Sequence, residues 1–301
     1  MKFSKKIHRI QPSMTLAVDA KAKKLISNGE DIISFGAGEP DFDNPDKIKQ
    51  AGIAAIEKNV THYTQVGGMD SLKQAILNKF ERDNNLIYDK NQIMVSCGAK
   101  HSLFNIAQVL WEEGDEIIVP APYWVSYPDI IRYAGAKPVI IDTLSSNGFK
   151  ITPSQINSAI TPNTRAIIIN SPSNPTGSAY SKKELEGIAE CALSNKLLIV
   201  ADEIYEKIVF DGFEQHSICS IGKEVQNNSI LVNGVSKSYA MTGWRIGYLA
   251  ANEKIVKQIE KLQGQSTSNP TSISQMASIT ALNDSEAEVK QMKIKVKTHQ
   301  Q

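Results

Sequence analysis

The stretch NGVSKSYAMTGWRIG, residues 233–247, sets Ser236 beside Lys237 and places Arg245 eight residues further on. An amine between a hydroxyl and a guanidinium suits an aldehyde that carries a phosphate tail. The amine condenses with the aldehyde, and its two neighbours hold the phosphate. Alone, a serine–lysine pair says little, because most lysines are solvated surface. The rest of the chain has to supply the other parts of such a site.

Working outward, short apolar runs at 92–96, 116–120, 138–142, 166–170, 197–201, 230–233 and 246–250 read as strands. Helical patterns lie between and around them, at about 17–27, 46–58, 70–83, 100–112, 124–134, 154–159, 182–194 and 253–263. In the third of these, Leu72, Ala75, Ile76 and Phe80 share one face. The segment ISFGAGEPDFDNP (33–45), rich in Gly, Pro and Asp, reads as loop. Strands alternating with helices predict an α/β sandwich, three layers deep, with a mostly parallel sheet. In such sheets, ligands gather beyond the carboxyl ends of the strands.

Composition sets the frame. The 301 residues are 41% hydrophobic and 22% charged with net charge +1, enough for a large core and one or two domains. That balance gives no reason to expect nucleic acid or an anionic membrane as partner. Cys97, Cys191 and Cys219 have no metal-like spacing and read as reduced thiols of a cytoplasmic protein. The five histidines form no ligand pair, so no metal is expected. No apolar h-region follows the basic MKFSKKIHRI, and no run approaches transmembrane length.

Several polar clusters stand where a strand pattern stops, each with a plainer reading beside the chemical one. Asp202 ends an apolar run and can pair with a protonated ring nitrogen, or simply cap the next helix. Tyr205, three residues on, is placed to reach a ring oxygen. Asn174, before Pro175, offers an amide on a rigid turn, or is only a turn. Gly98, Ala99 and Lys100 open a helix whose backbone N–H groups suit an anion, or form a glycine turn required by sterics. Trp124, in PAPYWVSYP, can stack on a planar ring or pack in the core.

Together, in order and spacing, these segments resemble one family: the fold type I (class I) pyridoxal 5′-phosphate (PLP)-dependent aminotransferases, nearest the bacterial aspartate aminotransferase subgroup. GAGEPDFDNP, THYTQVGG, CGAKHSLFN, PAPYWVSYP, NSPSNPTG, VADEIYE and NGVSKSYAMTGWRIGY carry the resemblance, from about Ile10 to about Met292. The resemblance implies that Lys237 is the Schiff-base lysine and also the proton shuttle. Asp202 then partners the pyridine nitrogen, Asn174 and Tyr205 the ring 3-oxygen, and Trp124 the ring face. Ser236, Arg245 and the Gly98–Ala99–Lys100 turn form the phosphate cup. Tyr63 matches a tyrosine that reaches the neighbouring subunit's phosphate, implying a homodimer with shared sites.

On the substrate side, Gly38 matches a backbone contact to the α-carboxylate, which Asn174 and Trp124 also border. Lys100 matches a lysine that pairs with the side-chain carboxylate of aspartate or glutamate, and Thr15 is expected near the same pocket. The implied reaction takes L-aspartate and 2-oxoglutarate to oxaloacetate and L-glutamate. Alternatives are an aminotransferase of aromatic or small amino acids, or an inactive PLP-binding remnant. Relatives that aminate prephenate carry a basic residue where this chain has Gln11, which argues against prephenate.

The pattern breaks at KIKVKTHQQ (293–301). Three regions are expected: an N-terminal arm and part of a small domain (1–45), a PLP-binding large domain (46–285) and a divergent tail (286–301). The small domain is then incomplete, from a premature end or simply where this piece of chain stops. No residue matches the family's C-terminal arginine that grips the α-carboxylate, so impaired turnover is expected.

Overall fold

A computed structural model gives the fold and describes residues 1–34, 36 and 38–299. Phe35 and Ala37 of the 33–45 loop, and Gln300 and Gln301 of the tail, lie outside the described residues.

Among the described residues, seven strands form one sheet: β1 (Ile93–Ser96), β2 (Glu116–Ala121), β3 (Lys137–Asp142), β4 (Thr164–Asn170), β5 (Leu198–Asp202), β6 (Ser229–Gly234) and β7 (Gly247–Ala250). Their order is β1-β7-β6-β5-β4-β2-β3. β7 runs antiparallel to both of its neighbours, β1 and β6, and the remaining pairs are parallel. Each expected strand is present. Parallel strands covered on both faces are nearly continuous Ile/Val/Leu runs, and such runs stand out in a sequence.

The helices are α1 (Met14–Ser27), α2 (Asp46–Glu57), α3 (Asp70–Asn84), α4 (Ala99–Leu110), α5 (Ser126–Ala134), α6 (Pro153–Ala159), α7 (Lys182–Ser194), α8 (Lys223–Asn227), α9 (Glu253–Gly264), α10 (Ser272–Asp284) and α11 (Glu286–His299). The strand period of two divides the side chains between two cores. Ile167, Ile169, Ile199 and Leu231 join Leu72, Ile76 and Phe80 of α3, Leu185 and Ile188 of α7, and Ala277 and Ala281 of α10. Ile168, Val200, Ile230 and Val232 join Leu103 and Ile106 of α4, Ile131 of α5, and Val256 and Ile259 of α9. The result is the expected three-layer α/β/α sandwich.

The helix starts follow local chemistry. Ser181 accepts from the Glu184 N–H while the Glu184 side chain reaches back to Ser181, a capping box that opens α7. Thr152 and Gln155 do the same for α6, with Pro153 in its first turn. Helix α10, which the apolar pattern does not mark, buries Ser272, Ser274, Gln275, Ala277 and Ser278. Its inner face is small and polar, so it lacks the apolar stripe that periodicity detects.

Behind β5, Glu203 is buried. Its Oε1 accepts from the Ser217 hydroxyl at 2.9 Å and the Ile218 N–H at 3.3 Å, while Oε2 has no hydrogen bond among the described residues. Burial first, then the nearby Glu206 charge, pushes its carboxyl up to about 8. The folded chain therefore binds this proton more tightly than the unfolded chain does. Stability contributed by Glu203 is present below its ordinary value of 4.5 and is lost as pH rises through about 8. A Glu203→Gln variant should show a thermal midpoint that falls less between about pH 5 and pH 8 than the parent's. Parallel midpoint-versus-pH curves for the two proteins would contradict this.

Candidate active site

The parallel strands β2, β4, β5 and β6 end at one edge of the sheet. β1 ends there too, and antiparallel β7 begins there. Each brings a group to this edge: Trp124 after β2, Asn174 after β4, Asp202 at the end of β5 with Tyr205 following, Ser236 and Lys237 after β6, the Gly98 turn after β1, and Arg245 before β7. This is the edge where parallel α/β sheets collect ligands.

Asp202 is the most constrained of these groups. Its side chain continues the even-numbered face of β5, opposite α5, and only 3% of the residue is exposed. The Tyr127 hydroxyl, on α5, donates to Oδ2 at 2.6 Å, and the Ile204 N–H donates to Oδ1 at 3.3 Å. Burial raises its carboxyl above the usual range, and the two hydrogen bonds oppose that rise; among the described residues no cation contributes. A buried carboxylate held ready without a cation fits a ligand that brings its own positive nitrogen. Burial, reinforced by Asp202, also drives the Tyr127 phenol far above its ordinary value, so it remains a donor. The sequence does not reveal Tyr127, which stands 75 residues from its partner.

Trp124 packs edge-on against Tyr127, with ring centroids 5.3 Å apart. The Asn174 amide donates to the Tyr205 hydroxyl at 3.4 Å. Burial and then Asp202 raise the Tyr205 phenol, whereas Asn174 lowers it. The half-buried Lys237 donates through Nζ to the Gly38 carbonyl at 2.5 Å and lies 5.8 Å from the Tyr205 ring centre. Burial lowers its ammonium, Glu39 works against that, and Arg245 adds to it.

Gly98 opens α4 with φ 93°, a region that favours glycine. A Cβ there would stand 2.3 Å from Arg245 Nη2. A Cβ on Gly247 would stand 2.2 Å from the Ala99 nitrogen. Both glycines therefore allow the arginine and the helix N-terminus to close on one small volume. The Arg245 guanidinium is fixed by the carbonyls of Thr242 at 2.8 Å and Cys97 at 3.3 Å. With the Ser236 hydroxyl nearby in sequence, this cradle has the donor set of an anion site. Lys100 Nζ lies 4.9 Å from the Trp124 ring centre, and burial followed by Arg245 lowers its ammonium.

Two cavities meet here. One of about 280 Å³ is lined by Gly38, Glu39, Tyr205 and Lys237 on one side and by Val289, Met292 and Val296 of α11 on the other. A second, of about 580 Å³, shares Gly38 and Tyr205 and extends past Asn174 to Phe210 and Phe213. The strand-end residues thus gather at one edge of the sheet, while Tyr63 and Thr15 lie on other elements. Tyr63 is 92% exposed, on a loop whose backbone is held by Glu260 to Gly67 and by Gln275 to Met69. Thr15 is exposed in the first turn of α1.

A helix-and-strand cradle suited to an anion, a buried carboxylate and an amine of lowered basicity share this edge, and together could hold a phosphorylated aromatic cofactor. The family model for aminotransferases of class I and II matches residues 30–301, and the chain belongs to that family. It is 50% identical over 291 residues to an aspartate aminotransferase of Bacillus sp. (strain YM-2), covering 97% of this chain and 74% of that protein. It is 50% identical over 286 residues to an aspartate/prephenate aminotransferase of Nitrosomonas europaea, covering 94% and 72%. The solved structure of Thermus thermophilus aspartate aminotransferase with maleate superposes with a TM-score of 0.94 at 39% identity, covering 97% of this chain and 76% of that one. The protein is an aminotransferase of fold type I. The family match includes the tail that the sequence pattern sets apart, and residues 286–299 of that tail form α11.

Gly247→Ala should cost about 1–3 kcal/mol, because backbone rather than a movable side chain stands in the way. For a chain of this size that lowers the thermal midpoint by roughly 2–4 °C per kcal/mol. A midpoint unchanged within error would contradict the close approach.

Proposed function

We propose that this aminotransferase uses pyridoxal 5′-phosphate to move the amino group of L-aspartate to 2-oxoglutarate, giving oxaloacetate and L-glutamate. The observation that carries the reading is Asp202, a buried carboxylate with no cation beside it among the described residues, at the same sheet edge as a lysine of lowered basicity. When bound, the cofactor supplies an electron sink that makes the substrate Cα–H acidic. Asp202 would hold the proton on the ring nitrogen, Trp124 would cover the ring face, and Asn174 and Tyr205 would donate to the ring 3-oxygen. Ser236, Arg245 and the N–H groups of Ala99 and Lys100 would hold the phosphate. Lys237, in its neutral form, would anchor the cofactor and carry the proton from the substrate Cα.

For the substrate, Gly38 and the Asn174 amide stand at the α-carboxylate end. Lys100 is the cation for a side-chain carboxylate, consistent with dicarboxylate preference. Among the described residues, Arg9, Arg82, Arg132 and Arg165 are each paired with an acid: Glu113, Asp83, Asp129 and Asp115. Arg245 is assigned to the phosphate cradle, so among the described residues none of the arginines is assigned to the α-carboxylate. Gln11 argues against prephenate as amino acceptor. We assign Tyr63, exposed on a braced loop, to the phosphate site of a second copy in a cytoplasmic homodimer. The regional division proposed is an arm with part of a small domain in 1–45, a cofactor domain in 46–285 and a separate segment in 286–301.

Incubation with PLP followed by borohydride should fix one pyridoxyl phosphate on Lys237, read by peptide mass. Attachment elsewhere, or none, would refute the cofactor assignment. Lys100→Ala should lower kcat/KM for aspartate about 10²-fold, as expected for a lost charge-assisted hydrogen bond, while leaving alanine nearly unaffected. An equal loss for both substrates would refute the Lys100 assignment. Glu39 favours the protonated Lys237, so Glu39→Gln should move the acid limb of the aspartate–2-oxoglutarate rate profile to lower pH. A shift to higher pH would contradict that sign.

A further inference from the structure

The chain leaves β5 at Asp202 and turns over residues 204–207. Asp202 and Tyr205 carry the site, while Glu203 and Glu206 point behind the sheet. Glu206 forms an ion pair there with Lys79 of α3, the two side chains being 6% and 1% exposed. Asn84, at the end of α3, closes the group: its Oδ1 accepts from Lys79 at 2.8 Å and its Nδ2 donates to Glu206 at 2.9 Å. One residue further, Lys207 pairs with Asp83 at 2.8 Å. The same helix end also faces the turn that carries Lys237. Tyr239, two residues past that lysine, is buried, and after desolvation itself Glu206 and Asp83 are the main causes that raise its phenol.

A buried lysine–glutamate pair is a poor way to add stability. Apolar side chains of similar volume usually serve as well or better, since neither must be stripped of water. What an ion pair with a bridging amide adds is direction: the ammonium serves both the carboxylate and the amide oxygen, and the amide nitrogen returns to the same carboxylate. Here that geometry fixes the residue following Tyr205 to a helix that also backs the Lys237 turn.

We propose that Lys79, Asn84 and Glu206 are positioning residues, which hold Tyr205 in register with Lys237 from behind the sheet. This rests on the reading above that Tyr205 donates to the ring oxygen of the cofactor. Loosening the cluster lets Tyr205 drift from that oxygen, which then becomes more basic, while the core stays packed.

The test is the Lys79→Met/Glu206→Leu double variant, which removes both charges together, compared with the parent and with Lys79→Arg. The double variant should melt within a few degrees of the parent. Without cofactor, its amides over 203–208 should exchange with deuterium about tenfold faster or more. Loaded with PLP, the pH midpoint of its cofactor absorbance should rise by about one unit, tenfold in proton affinity. Lys79→Arg, which keeps the cation, should restore both readouts most of the way. A folded double variant with parental exchange and a parental midpoint would overturn the proposal. Should the double variant fail to fold, Asn84→Ala leaves the ion pair but removes its bridge. It should move both readouts in the same direction by less, and parental values would overturn the proposal equally. Failure of the parent to take up PLP would sink the cofactor reading. The exchange rates in unloaded protein then still decide whether the cluster holds the turn.

Discussion

The site depends on one buried charge. Asp202 ends the central strand with its carboxylate desolvated and without a lysine or arginine to neutralise it. Such a group is costly to bury, and the Tyr127 hydroxyl and the Ile204 N–H offset only part of that cost. The chain tolerates it because the strand is fixed between β4 and β6 and the opposing helix α5 places Tyr127 against it. On the proposed reading, a ligand with a protonated ring nitrogen would supply the missing partner, so that binding energy and chemistry would come from the same contact.

The other groups take their places from the sheet. Because strand ends share one edge, residues far apart in sequence converge: Lys237 meets the Gly38 carbonyl across 199 positions. Asn44 reinforces that meeting. Its Oδ1 accepts from the Trp244 indole at 2.7 Å, and its amide reaches the carbonyls that follow Lys237. The loop near Gly38 and the lysine turn are thereby held as one unit, with Glu39 close enough to influence the lysine's proton.

Much of this was legible in the sequence, for physical reasons. Buried parallel strands announce themselves as apolar runs, and the polar residues that interrupt them at one end mark the edge where ligands bind. What stayed hidden depends on three-dimensional pairing. Helix α10 has a small, polar inner face and so no stripe to detect. Tyr127 reads as an ordinary aromatic of an amphipathic helix until Asp202 is found opposite it. Lys79 reads as solvated because lysines almost always are, yet it is among the most deeply buried side chains.

The central claim is that Asp202 keeps a ring nitrogen protonated. Nitrogen-15 NMR of PLP labelled at that nitrogen and bound to the chain measures it directly. The account predicts a protonated nitrogen throughout neutral pH, reverting to the unprotonated form in Asp202→Asn. An unprotonated nitrogen in the parent, or a signal indifferent to the substitution, would contradict it.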